Sequence, residues 1–306
     1  MSTQDKGSGM SVFDTPEPIV AVLDLPTGTV RITASERADT VVEVRPGNER
    51  DAADVAAARH THVEYADGRL LVRTDREHTG RGLTFGKLVE SPVAWARSLL
   101  VGTGSIDVTI DLPSGSHLDV TSSGSVSARG PLGEATVTTS YGDIRLEHAG
   151  RLRLKTTHGA VTVTRGAGPA EVSTSHGGIH IGRVDGPATV KTAHGTVRIG
   201  EVTGELRLNS AYGGITVDRA PAGVIAKTAY APLRVGEAVA GEIVLESTGG
   251  GLDLGIREGS AAWLDVSSQY GVVDVALDPG DEPRGDEQVV EVRAHTTYGD
   301  IVIHRS

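Results

Sequence analysis

The chain has 306 residues, a formal charge of −11, 38% hydrophobic residues and an aromatic share of only 3%. The acidic balance argues against nucleic acid or an anionic membrane surface as partner, because both select basic faces. With no cysteine there is neither a disulfide framework nor a thiolate metal site. No run of 18 apolar residues is present to span a bilayer. No apolar h-region follows Met1, so no secretory signal is read and the expected location is cytoplasmic.

Residues 1–12 read as a polar, disordered leader. Residues 13–115 read as an irregular β-rich region and cap. Ile19 to Leu23 is an alternating strand, Gly28-Thr29-Val30-Arg31-Ile32 starts another, and Thr40 to Val44 a third. Asp51 to Arg59 is alanine-rich and predicts one short helix. Asp67-Gly68 signals a hairpin turn between Val63/Tyr65 and Leu70 to Val72. Glu77 to Gly86 reads as a loop, and Leu88 to Leu100 is a second helix candidate despite Pro92. Ile106 to Leu112 is a strand, stopped by Pro113-Ser114-Gly115.

From residue 116 to 306 one phrase recurs. Its glycine falls at Gly124, Gly142, Gly159, Gly177, Gly195, Gly213, Ala231 (the one substitution), Gly250, Gly271 and Gly299. The gaps are 18, 17, 18, 18, 18, 18, 19, 21 and 28 residues. Two apolar residues follow each glycine at plus two and plus four, as in Ile179 and Ile181. Two more precede it at minus seven and minus five, as in Ala188 and Val190. Polar residues intervene, so each repeat holds two short strands with one buried face. A hydroxyl stands at minus three throughout (Thr139, Thr156, Thr174, Thr192, Ser210, Thr228, Ser247, Ser268, Thr296) and shares the buried parity. Stacked rungs would line these up about 4.8 Å apart, each donating to the next. The predicted fold is all-β: a single β-solenoid of ~18-residue rungs, two short strands per rung, with an N-terminal cap carrying one or two short helices. A right-handed path is expected from the crossover rule. Asp278 to Glu287 is an acidic excursion within a loop at 278–288 and a second candidate cap, and residues 289–306 form the closing rung.

The phrases V-F-D-T-P-E-P-I, L-P-x-G, T-x-x-G-x-[IV]-x-[VIL], A-A-W-L-D-V-S and a closing T-x-Y-G-D-I-V-I resemble the actinobacterial branch of the putative-adhesin family. These are β-strand-repeat proteins with a domain of unknown function, related to the head domains of auto-transporter-type adhesins. The resemblance covers roughly Phe13 to Arg305. It implies a β-helical stack with no established enzymatic activity and no transferable catalytic residues.

The position just before each glycine is the main candidate site. It holds Tyr141, His158, His176, His194, Tyr212, Tyr230, Tyr270 and Tyr298, five of the six tyrosines in the chain, with Gly249 the exception. One reading is a corner stack that covers the turn. Another is a binding strip for sugar faces or a partner's backbone. A third is metal binding by His158, His176 and His194 on consecutive rungs. The mixed outward neighbours of the hydroxyl column offer no ice-binding face. Asp143 and Asp300 stand many rungs apart, so no catalytic carboxylate pair is read. Arg284-Gly285-Asp286 spells a three-residue integrin-type motif, read as coincidence. The expected function is a non-enzymatic scaffold with no cofactor, serving an unknown protein partner or self-association. The alternatives are an exported carbohydrate- or surface-binding adhesin and, less favoured, a carbohydrate-active β-helix enzyme.

Overall fold

The structure, a computed structural model, describes residues 9–74, 104–277 and 288–306. The expected loop at Glu77 to Gly86, the helix at Leu88 to Leu100, the acidic excursion at Asp278 to Glu287 and its Arg284-Gly285-Asp286 lie outside the described residues. Two compact units are present, residues 1–130 and 131–306.

In the first unit the earliest rung of the chain lies in the middle. Val20–Asp24 pairs in parallel with Arg69–Thr74 on one side and His117–Ser122 on the other. Thr27–Ser35 likewise lies between Ser105–Pro113 and Ser125–Arg129. The outer rung then carries antiparallel strands: Thr61–Ala66 on Arg69–Thr74, and Asp39–Pro46 on Ser105–Pro113 with Met10–Asp14 beyond it. Strand structure starts at Met10 rather than at Phe13. Met10 is in register with Glu43, and the Val44 N–H donates to the Gly9 carbonyl at 2.8 Å. The helix is Ala52–Arg59, as its alanines predict, with the Asp51 carboxylate accepting from the Ala53 N–H at 2.8 Å. Buried Asp54 ties it down, accepting from the Asn48 and Ser105 N–H groups at 2.9 and 2.7 Å.

The second unit is the repeating stack, each rung named by its column glycine. Val172, Val190 and Leu208 stand in register, as do Ile181, Ile199 and Val217 on the opposite strands. All six are fully buried. The alternation forces this: a period of two puts every second side chain inside, and rung-on-rung stacking removes it from water. Each such valine, leucine or isoleucine contributes about 1.5–3 kcal/mol.

The hydroxyl column is buried as its parity requires, apart from a half-buried Ser268 on the outermost rung. The hydroxyls do not form a ladder with one another. Thr156 donates to the Gly142 carbonyl and Thr174 to the Gly159 carbonyl, both at 3.2 Å, each on the rung before. Ser210 donates within its own rung to the Gly213 carbonyl at 3.0 Å. The hydroxyls of Thr192 and Thr228 are buried with no hydrogen-bonding partner. The reason is geometric: at the turn, the nearest acceptor is a glycine carbonyl rather than the next hydroxyl. Thr192→Val is therefore expected to raise stability by about 1 kcal/mol, since it removes an unpartnered buried hydroxyl at constant shape. Thr296→Val should lose about as much, because Thr296 donates to the Gly250 carbonyl at 3.0 Å. Urea melts of both variants check this, and a destabilised Thr192→Val would contradict it.

That last bond reveals a reordering. The final rung of the chain, Val289–Thr296 and Ile301–Arg305, does not close the stack. It pairs on one side with the Gly250 rung, Gly241–Ser247 and Leu252–Ile256. On its other side lie Ala261–Ser268 and Val273–Ala276, the Gly271 rung. The chain passes from Gly250 to an outer rung and then returns to fill the space between. The long gaps of 21 and 28 residues are this detour.

Candidate functional site

The strands before Gly159, Gly177 and Gly195 end at the rings of His158, His176 and His194, and the glycine lets the chain turn away beneath each. At Gly195 φ is +142°, and a Cβ there would lie 2.2 Å from the Gly177 carbonyl oxygen. Only a residue without a side chain fits so close a backbone approach. The ring before it shares the parity of the core residues, yet it projects outward because the strand has already reached its corner.

Six of the eight expected rings form one unbroken exposed stack. Centroid distances are 5.3 Å for Tyr141–His158, 4.8 Å for His158–His176 and 4.9 Å for His176–His194. His194–Tyr212 and Tyr212–Tyr230 follow at 5.0 and 5.5 Å. Interplanar angles run from 1° to 13°. Gly249 interrupts the column after Tyr230. The remaining pair, Tyr298 and Tyr270, stacks at 5.1 Å in the reversed order that the rung detour imposes.

This geometry decides among chemistries. Between the end rings of the stack, rings lying face to face present only their edges, the tyrosine hydroxyls and imidazole nitrogens, to solvent. A sugar face needs about 3.5–4 Å of contact distance to a ring. A gap of 4.8 Å between neighbouring centroids leaves no room for one. The strip therefore offers donors and acceptors in a row, not platforms for pyranose faces. Tetrahedral zinc needs nitrogens converging at about 2.0–2.1 Å, and parallel imidazoles one rung apart do not converge. Among the described residues no group of three or more His, Cys, Asp or Glu is arranged to hold a metal ion.

Shallow grooves flank the strip. One of about 410 Å³ runs past Ser175, Ala193 and Ala211, and one of about 340 Å³ runs past Thr248 and Thr297. Another column, which reading the rings alone misses, lies at plus six from the glycines: Arg165, Arg183, Glu201, Arg219 and Glu237. Arg183 bridges Glu201 at 3.2 Å, and Arg219 reaches Glu201 at 3.5 Å and Glu237 at 3.1 Å. Asp185 receives Arg183 at 2.7 Å and Arg165 at 2.8 Å. Hydrogen bonds from Arg183 and then Arg165 hold the Asp185 carboxyl below its usual range. The same 18-residue count that gives the rings would have found this column.

The family described as Toastrack DUF4097 matches residues 22–304. The chain belongs to this family. No curated protein matches this Toastrack chain. Among solved structures it is similar to a protein described as a putative adhesin from Bacteroides fragilis. That alignment has 13% identity, covers 98% of both chains and gives a TM-score of 0.34. It is also similar to one described as a putative cell adhesion protein from Clostridium sporogenes. There the identity is 10%, coverage 98% of this chain and 100% of that one, and the TM-score 0.20. Among the described residues, no helix of the Toastrack chain is long and apolar enough to cross a membrane.

Proposed function

We propose that this Toastrack chain is a non-catalytic scaffold whose exposed ring column docks a protein partner. The observation that carries the reading is the uninterrupted stack from Tyr141 to Tyr230, solvent-facing along its whole length. Aromatic edges bearing hydroxyls and ring nitrogens are the amphipathic contacts that protein interfaces favour. Stacking also fixes the rings before binding, which lowers the ordering entropy a partner must overcome. The flanking grooves supply depth on the same rungs. Surface carboxylates such as Asp185 and Glu201 are engaged by arginines, which suits a structural role. A carbohydrate-binding adhesin stays second, because the interior of the strip meets a glycan through hydroxyls and ring nitrogens rather than through ring faces.

The test is site-specific photo-crosslinking in the producing cell. A photoreactive residue at His176 or Tyr212 should give a discrete protein adduct. One at Arg153 or Glu171, away from the strip, should not. The same adducts from both sets, or none from the strip, would refute the docking role.

A further inference from the structure

The outermost rung of the second unit, Ala261–Ser268 with Val273–Ala276, is built like a core rung but has no strand beyond it among the described residues. Leu264 and Val266 stand in register with Val292 and Ala294, and Val273 and Val275 with Ile301 and Ile303. One rung inside, those four partners are at most 1% exposed. On the outer rung Leu264, Val273 and Val275 are 37%, 39% and 40% exposed. Among the described residues both outer strands pair on one side only, so each also presents an open row of backbone N–H and C=O groups.

Natural sheet edges are usually blunted by lysine, proline, inward charges or a covering strand. The outer rung of the first unit follows that rule, being covered by the antiparallel strands Thr61–Ala66 and Asp39–Pro46. Among the described residues the Gly271 rung does not. Its two strands contain no lysine, arginine or proline. Their charges, Asp265 and Asp274, lie in register with the outward residues Arg293 and Val302. The core-facing row is uncharged throughout.

We propose that the Gly271 rung is a homodimer interface, at which two copies of this chain join edge to edge across a two-fold axis. A second copy fits because the face needs two strand edges at once, on two sheets about 10 Å apart, and a single extended peptide satisfies only one. A two-fold axis that joins the outer rungs reverses strand direction, so the new pairs are antiparallel and each surface is its own complement. Centring the pairing on Leu264 sets Leu264 against its copy and Asp265 against Trp263 rather than against another carboxylate. The two strands, of eight and four residues, are about 26 and 13 Å long, and two sheets with their side chains give a face of roughly 400 Å² per copy. The pair then buries about 800 Å², the size of a weak, reversible contact rather than of an obligate dimer. This contact is separate from the ring strip and goes beyond the docking role proposed for it.

Sedimentation of the full chain over a concentration series tests the proposal. The wild-type mass should rise from 31.7 kDa toward twice that value between about 1 and 100 µM. The double variant Leu264→Lys/Val275→Lys should weaken association at least about tenfold, since each lysine leaves a charge on the joined face. A wild type that stays monomeric over that range would overturn the proposal and hand the face to a different partner. A double variant that dimerises as well as wild type would overturn it too. Should those lysines impair folding, Leu264→Cys gives a second readout, because the chain has no native cysteine. Oxidation should link Leu264→Cys into a covalent dimer quickly and Val302→Cys, exposed off the face, slowly. Equal rates would contradict the interface. Photo-crosslinking at Tyr212 is unaffected by either change, so failure of one reading is distinguishable from failure of the other.

Discussion

Gly195→Val is expected to abolish folding of the central rungs, or to lower stability by at least about 3 kcal/mol. At φ +142° a β-branched residue stands in a backbone region reserved for glycine, a strain of about 1–3 kcal/mol by itself. The added Cβ would also lie 2.2 Å from the Gly177 carbonyl oxygen, so the backbones of two rungs must part. Parting them breaks the parallel ladder that places Val190 and Val172 in the core. A denaturant melt checks the size of the loss. A variant within about 1 kcal/mol of wild type would mean that the rungs are not so closely stacked.

Deleting residues 288–306 has an effect of similar scale, for a different reason. If the stack followed chain order, this truncation would trim one terminal rung and leave the rest in place. In the structure the deleted rung is internal, and the Gly271 rung loses with it every ladder partner it has among the described residues. Burial of Val290, Val292, Ile301 and Ile303 is lost, roughly 6–12 kcal/mol of transfer free energy. The truncated chain is expected to melt far lower and to be cut by protease throughout residues 261–277. Protection of that segment in the truncated chain would contradict the detour.

The sequence carried the period, the two-strand rung and the identity of the ring column, because all three follow from counting 18 residues and alternating by two. Parity also placed the hydroxyls inside. It could not name their partners, since those depend on how the turn carries the Gly142, Gly159 and Gly250 carbonyls toward the rung above. Rung order escaped for a related reason. The gaps of 21 and 28 residues show where the chain departs from its period, but an insertion and a detour have the same length signature. Only the pairing of Ser247 with Thr296, and of Thr296 with Ser268, separates them. The column of rings was legible, yet its orientation was not: whether Tyr212 shows a face or an edge depends on rings one rung away. The Arg165 to Glu237 column was legible too, at plus six, but outward polar positions draw less notice than apolar ones.

Engineered cysteine pairs test the stacking register most directly, and the absence of native cysteine leaves a clean background. Positions in register on adjacent rungs fall within the 4.4–6.8 Å Cα separation that a disulfide accepts, whereas positions two rungs apart, at about 9.6 Å, do not. Lys191→Cys/Asn209→Cys, on consecutive 18-residue rungs, should form a disulfide on mild oxidation. Glu246→Cys/His295→Cys should form one as well, although 49 residues separate the two positions. Glu246→Cys/Ser267→Cys, nearer in sequence but two rungs apart in the stack, should remain reduced. A disulfide in that last pair, with none between positions 246 and 295, would contradict the register and the rung order together.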